Sequence, residues 1–215
     1  MLIGISGKSG SGKTTLSNNL KELLPREVVH LDIDKVGHNV LLLDEVKEEL
    51  IKAFGSNIVN NENIDRKKLG EIVFNNREEM QKLTDITWNH MQKEIDSFIE
   101  SNKDIIIILD WLLLPITKYF KMCNLTILLD IPYEIRKKRA MSRDNITEEA
   151  FDLRESSSIE LNPKDFDYVL KNNNKNEIRK LVKKIWQEYY IQEVLILLRK
   201  DIWILLNKQA NYLMK

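Results

Sequence analysis

Cysteine is almost missing. Cys123 is the single one in 215 residues, which excludes an intramolecular disulfide and any multi-cysteine metal site. Set between Met122 and an apolar run, it reads as a buried structural thiol. Net charge is missing too. Thirty-three Lys and Arg balance 33 Asp and Glu, so nothing suggests the basic surface that nucleic-acid binding requires. No apolar run is long enough to span a bilayer, and the most apolar stretch near the C-terminus is broken by Arg199, Lys200 and Asp201. No charged segment precedes the first apolar run, so a signal peptide is not expected and a cytoplasmic location is. Proline numbers four and glycine seven, and neither builds a linker. With 43% hydrophobic residues, the chain can bury one sizeable core, or one core and a small appended lobe.

The scarce glycine gathers near the start, in Gly4-Ile5-Ser6-Gly7-Lys8-Ser9-Gly10-Ser11-Gly12-Lys13-Thr14-Thr15. Gly7 to Thr14 fits the phosphate-binding pattern G-x-x-x-x-G-K-[ST]. An apolar strand (Leu2, Ile3, Ile5) precedes it and a helical pattern (Leu16, Leu20, Leu23, Leu24) follows, as the motif demands. Glycines let the backbone curl so that successive N–H groups from Gly7 through Thr15 point at phosphate oxygens. The positive end of the following helix adds to that field. Lys13 is expected to reach the β- and γ-phosphates, and the Thr14 hydroxyl to bind Mg²⁺.

Further along, apolar runs alternate with helical patterns. Val28–Leu31, Ile105–Leu109, Leu125–Leu129 and Phe166–Leu170 read as strands. Helices are expected over 14–24, 35–54, 64–100, 133–142, 147–155 and 175–188. The fold class that follows is α/β: a three-layer P-loop kinase fold on a parallel sheet. The stretch 40–100 is read as an inserted helical lobe without strands, and about 139–162 as a helical lid. Residues 60–63 and 171–175 read as polar turns.

Asp32, Asp34 and Asp110 fall at the carboxyl ends of strands, where open parallel sheets bind ligands. Two apart on extended chain, Asp32 and Asp34 share a side and are candidates for the base and for Mg²⁺; capping of the next helix is the alternative role. Asp110, after a buried run, either contributes to the Mg²⁺ site or simply ends a strand. Arg139 and Arg143, spaced i and i+4 on a basic helix that also carries Arg136, Lys137 and Lys138, share a face. Those two suit a lid closing over the γ-phosphate, with Arg154 further on; surface charge is the plainer reading for the rest. His30 reads as structural, His38 as a candidate for acceptor binding, and Trp88 and Trp111 as packing residues, although Trp111 directly follows Asp110.

These segments resemble the dephospho-CoA kinase family over residues 1 to about 186. Asp32-Ile33-Asp34-Lys35-Val36-Gly37-His38 looks like its Asp-x-Asp segment. Ala53-Phe54-Gly55 and Ile64 to Asn75, which includes Lys68, look like its acceptor-binding lobe. Arg139 to Asp144 resembles its lid, and Asp167 to Asn173 its last strand and adenine-side turn. The resemblance implies ATP and Mg²⁺ as cofactors and dephospho-CoA as the small-molecule partner, phosphorylated on its ribose 3′-hydroxyl in the last step of coenzyme A synthesis. It also implies Asp34 as base with Asp32 second, and Asn173 beside the adenine. Two segments depart from the family pattern. Trp88-Asn89-His90-Met91-Gln92 stands for His-Pro-x-Ile-Arg, and Asp110 to Ile116 lacks the usual proline and glutamate positions. Ser158 stands where a lid glutamine is expected. The departures leave another nucleoside-like acceptor as an alternative, and a non-catalytic ATP-binding module as a third reading. Beyond residue 188, Ile191, Leu195, Leu198, Ile202 and Leu205 recur in a heptad-like stripe, so 189–215 is expected to be a helical extension. That helix either docks on its own domain or makes a homo-oligomer.

Overall fold

A computed structural model of the chain describes residues 1–73, 76–171, 176–191 and 195. Asn173 and most of the C-terminal stripe lie outside the described residues, and with them the expected adenine contact and the choice between a docked and an oligomer-forming extension.

Five strands form one parallel sheet: β1 (Leu2–Ser6), β2 (Val28–Asp32), β5 (Ile106–Asp110), β6 (Leu125–Leu129) and β7 (Tyr168–Leu170). Their order is β2-β5-β1-β6-β7, so β1 is central. Its register pairs Ile5 with Asp110 on one side and with Ile127 on the other, and β5 pairs Asp110 with Asp32. Because side chains alternate across a strand, each run feeds two cores. Ile3, Ile5, Ile106, Ile108, Ile127 and Leu129 pack on the face covered by α1 (Lys13–Leu23) and by a helix over 176–191. Leu2, Ile107 and Leu109 pack on the other face, against the helical lobe. Both faces are dry, which explains why these strands read as unbroken apolar runs.

The lobe contains α2 (Ile33–Val40), α3 (Asp44–Phe54), α4 (Arg66–Val73) and α5 (Arg77–Ser101). The helix expected over 35–54 is thus two, and that over 64–100 is also two, the second opened by Asn76, whose side chain accepts from the N–H groups of Glu78 and Glu79. The expectation of a strand-free lobe is corrected by a short hairpin, β3 (Val59–Asn60) with β4 (Asn63–Ile64). Asn61 and Glu62 turn between them at φ 47° and 65°, the tight geometry a two-residue hairpin uses. Two residues per strand leave no periodic pattern to detect. After β5 come α6 (Lys118–Met122), then β6, then α7 (Tyr133–Asp144) and α8 (Glu148–Ser156) before β7. Among the described residues no helix is long and apolar enough to cross a membrane.

Candidate active site

The loop between β1 and α1 owes its shape to glycine. Gly10 (φ 77°) and Gly12 (φ 90°) are left-handed, and a Cβ on Gly10 would stand 2.2 Å from the Arg136 carbonyl oxygen. At Gly7 a Cβ would meet Ser11 Oγ at 2.6 Å. The loop closes on itself through Ser11 N–H to the Lys8 carbonyl (3.1 Å), and Gly12 caps α1. Thr14 and Thr15 are exposed in the first turn of α1. Lys13 folds back across the loop, donating to the Gly7 carbonyl (3.1 Å) with its Nζ 3.9 Å from Asp110 Oδ1.

Three strand ends, those of β1, β2 and β5, meet here, and the aspartates expected at the site come together. Asp110 is 3% exposed and faces Lys13 from one side and His30 from the other, with His30 Nε2 3.3 Å from Oδ2. That contact is within ion-pair distance but not angled as a hydrogen bond. Asp110 is thus buried between the loop lysine and His30. Asp32 takes the capping role: it accepts from Lys35 N–H (3.3 Å) while keeping one oxygen 3.5 Å from Lys35 Nζ. Capping uses one lone pair and leaves the carboxylate at the crevice. Asp34, in the first turn of α2, is open to solvent yet closely walled by protein. Desolvation raises its pKa above the ordinary carboxylate value. Lys13 draws it back down, and Asp32 and Asp110 push it further up.

His38, a candidate for acceptor binding, is exposed on α2, and its pKa is lowered by desolvation and then by the neighbouring Arg66 charge. Lys68 is exposed on α4, with its backbone N–H bound to Asp65 Oδ1 (3.2 Å). Trp88 from α5 stacks on Trp111, ring centres 5.9 Å apart and 18° from parallel.

The lid arginines are placed differently from one another. Arg139 is exposed on α7 and Arg143 pairs with its neighbour Asp144 (2.7 and 3.0 Å). Arg154 reaches the same carboxylate (2.8 Å), so Asp144 joins α7 to α8. The Arg143 and Arg154 guanidinium groups therefore point to one carboxylate, Asp144, rather than to the loop. The residue that does touch the loop is Arg136, which sequence reasoning grouped with the surface charges. It is 6% exposed. It binds Glu155 of α8 through two hydrogen bonds of 2.8 Å, the Ile131 carbonyl (2.9 Å) and the Ser9 carbonyl (3.3 Å). Lys8 adds 3.2 Å to Glu155 and 2.9 Å to Glu160. The signal available in the sequence was Ala140, four residues on: buried Ala140 marks the inward face of α7, and Arg136 lies on it.

A parallel sheet with a glycine loop at the N-terminus of its first helix, a lysine on that loop and three carboxylates at neighbouring strand ends is the arrangement of a P-loop kinase, and a kinase of that class uses ATP. A crystal structure from Thermus thermophilus shares the fold at a TM-score of 0.73, 25% identical, over 87% of this chain and 97% of that one. A dephospho-CoA kinase structure from Campylobacter jejuni aligns at 0.53, also 25% identical, over 87% and 96%. The dephospho-CoA kinase family model matches residues 1–178. Relatives called dephospho-CoA kinase are 37% identical in Aquifex aeolicus (86% of this chain, 96% of the relative) and 30% identical in Borreliella burgdorferi (100% and 90%). The chain belongs to the dephospho-CoA kinase family.

Proposed function

We propose that this chain transfers the γ-phosphoryl group of ATP to the ribose 3′-hydroxyl of dephospho-CoA, completing coenzyme A. The observation that carries the reading is Lys13 set between the glycine loop and Asp110 at the carboxyl edge of the sheet, with Asp32 and Asp34 at the adjoining strand end, in a chain of this family. Lys13 leaves its Gly7 and Asp110 contacts to meet the phosphates, a small motion for a flexible stem. Loop N–H groups from Gly7 to Thr15 hold the phosphate oxygens. Asp34 accepts the hydroxyl proton; desolvation raises its pKa, which makes it a stronger base than an ordinary aspartate.

The donors at the crevice fit Mg²⁺. They are all oxygen, the Thr14 hydroxyl and the Asp32 carboxylate, and among the described residues no cluster of three or more His, Cys, Asp or Glu competes as an all-protein cage. Bound there, Mg²⁺ would neutralise phosphate charge and orient the transferring group. Arg139, Arg143 and Arg154 are assigned to the lid at about 139–162, where release from Asp144 frees guanidinium groups for the phosphates. His38, Lys68 and Asp110 are assigned to the acceptor side, with Lys68 in the lobe at about 40–100. The kinase domain is taken as 1–188 and the remaining 189–215 as its extension. A free thiol without disulfide partners suits the cytoplasm, where we place the enzyme.

The test is mass-spectrometric detection of coenzyme A from MgATP and dephospho-CoA. Wild type should form it, Lys13→Met should not, and Asp34→Asn should fall by at least about a hundredfold. Absence of product with ATP bound in the same sample would overturn the reading.

A further inference from the structure

His30 is out of place on its strand. Val28, Ile106 and Ile108, which share its face of the sheet, are apolar and buried. Among them His30 sets a polar ring whose side chain is only 13% exposed. Its Nε2 is buried and makes no hydrogen bond, and it stands 3.3 Å from Asp110 Oδ2. A nitrogen lone pair would be repelled by a carboxylate at that distance, which assigns the ring proton to Nε2. Among the described residues, the basic side chains paired with the Asp110 carboxylate are this ring and the Lys13 ammonium, one on each oxygen. Asp32, its register partner on β2, brings a like charge and no relief. A buried carboxylate stripped of its partner is costly. When Lys13 moves to the phosphates, Asp110 therefore needs another donor. We infer that His30 is a positioning residue for ATP binding: its Nε2–H takes over Asp110 as Lys13 leaves, so that the loop lysine is free to serve the nucleotide. A turn of the ring about its soft second side-chain torsion aligns the N–H with Oδ2. Packing alone does not account for the ring, because valine or leucine would fill this face without a donor.

The inference rests on the proposed function in one respect, that Lys13 serves the phosphates of ATP. It is read in ATP affinity, not in turnover. His30→Leu, with His30→Met as a second apolar variant, should weaken MgATP binding about tenfold by titration calorimetry, the order of one hydrogen bond to a charged group. Both side chains suit a face shared with Val28, Ile106 and Ile108, so the sheet is kept. His30→Gln restores a donor near the Nε2 position and should bind within about twofold of wild type. In an Asp110→Asn background, where no charge is stranded, His30→Leu should change affinity by less than about twofold. A merely structural histidine would weaken binding equally in both backgrounds and would not be rescued by glutamine. Unchanged affinity in both apolar variants, an equal loss in the Asp110→Asn background, or a glutamine variant as weak as the leucine one overturns the inference. Failure of the proposed function looks different: no coenzyme A from wild type, with the coupling of His30 and Asp110 in ATP affinity intact.

Discussion

Replacing Arg136 with alanine removes four hydrogen bonds at once: two to Glu155, one to the Ile131 carbonyl and one to the Ser9 carbonyl. It leaves the Glu155 carboxylate in a poorly solvated place with Lys8 as its remaining partner, 3.2 Å away. Breaking a buried pair by deleting one partner costs about 3–5 kcal/mol. The cost here is smaller, because Lys8 stays and Glu155 is 19% exposed; about 2–3 kcal/mol is expected. For a chain of this size that lowers Tm by about 5–10 °C. The phosphate loop feels the change directly. Ser9 loses the donor to its carbonyl, and the Gly10 backbone loses nothing, since it packs on the Arg136 backbone, which alanine retains. A loop that must be ordered on binding should weaken ATP affinity about fivefold, near 1 kcal/mol. Differential scanning calorimetry and ATP titration calorimetry read the two effects. The double variant Arg136→Met with Glu155→Leu should recover most of the Tm, because a matched apolar pair leaves no stranded charge. A single variant that melts within about 1 °C of wild type, or a double variant as unstable as the single, would refute the reasoning.

Other outcomes follow from the same contacts. Gly10→Ala should abolish ATP binding, because a methyl group 2.2 Å from a backbone carbonyl oxygen at φ 77° forces the loop open; equilibrium dialysis with ATP checks it. Glu155 titrates below its ordinary value because Arg136 binds its charged form, so its stabilisation is full above the unfolded carboxylate pKa and is lost as pH falls through the lower folded one. The acid unfolding midpoint should therefore shift to higher pH in Glu155→Gln, followed by circular dichroism. The Cys123 thiol is pushed up to about 12 by burial and then by Asp167, so native protein should resist a thiol reagent at pH 8 and react once unfolded. Gly4→Ala places a Cβ 2.8 Å from Leu114 and 2.9 Å from Cys123 Sγ, which should cost about 1–3 kcal/mol in urea unfolding.

The residues from Gly7 to Thr14 were legible without any structure because backbone demands are local. A loop that must curl needs glycine at given offsets, and the strand and helix on either side announce themselves within a few residues. The buried strands were legible for the same reason, since a strand dry on both faces is a continuous apolar run. The aspartates at strand ends followed from strand position. Where a signal was short, it was missed: the two-residue strands Val59–Asn60 and Asn63–Ile64 carry no period. What only the tertiary structure decided is which charged and aromatic side chains meet. Arg136 and Glu155 are 19 residues apart, and neither position looks different from its charged neighbours in sequence. Lys13 meets Asp110, and Trp88 meets Trp111, because β5 is inserted between β1 and β2 and carries the end of one segment under another. Local sequence sets backbone geometry through sterics and burial, whereas side-chain partnership depends on strand order, which distant segments settle together through the shared core.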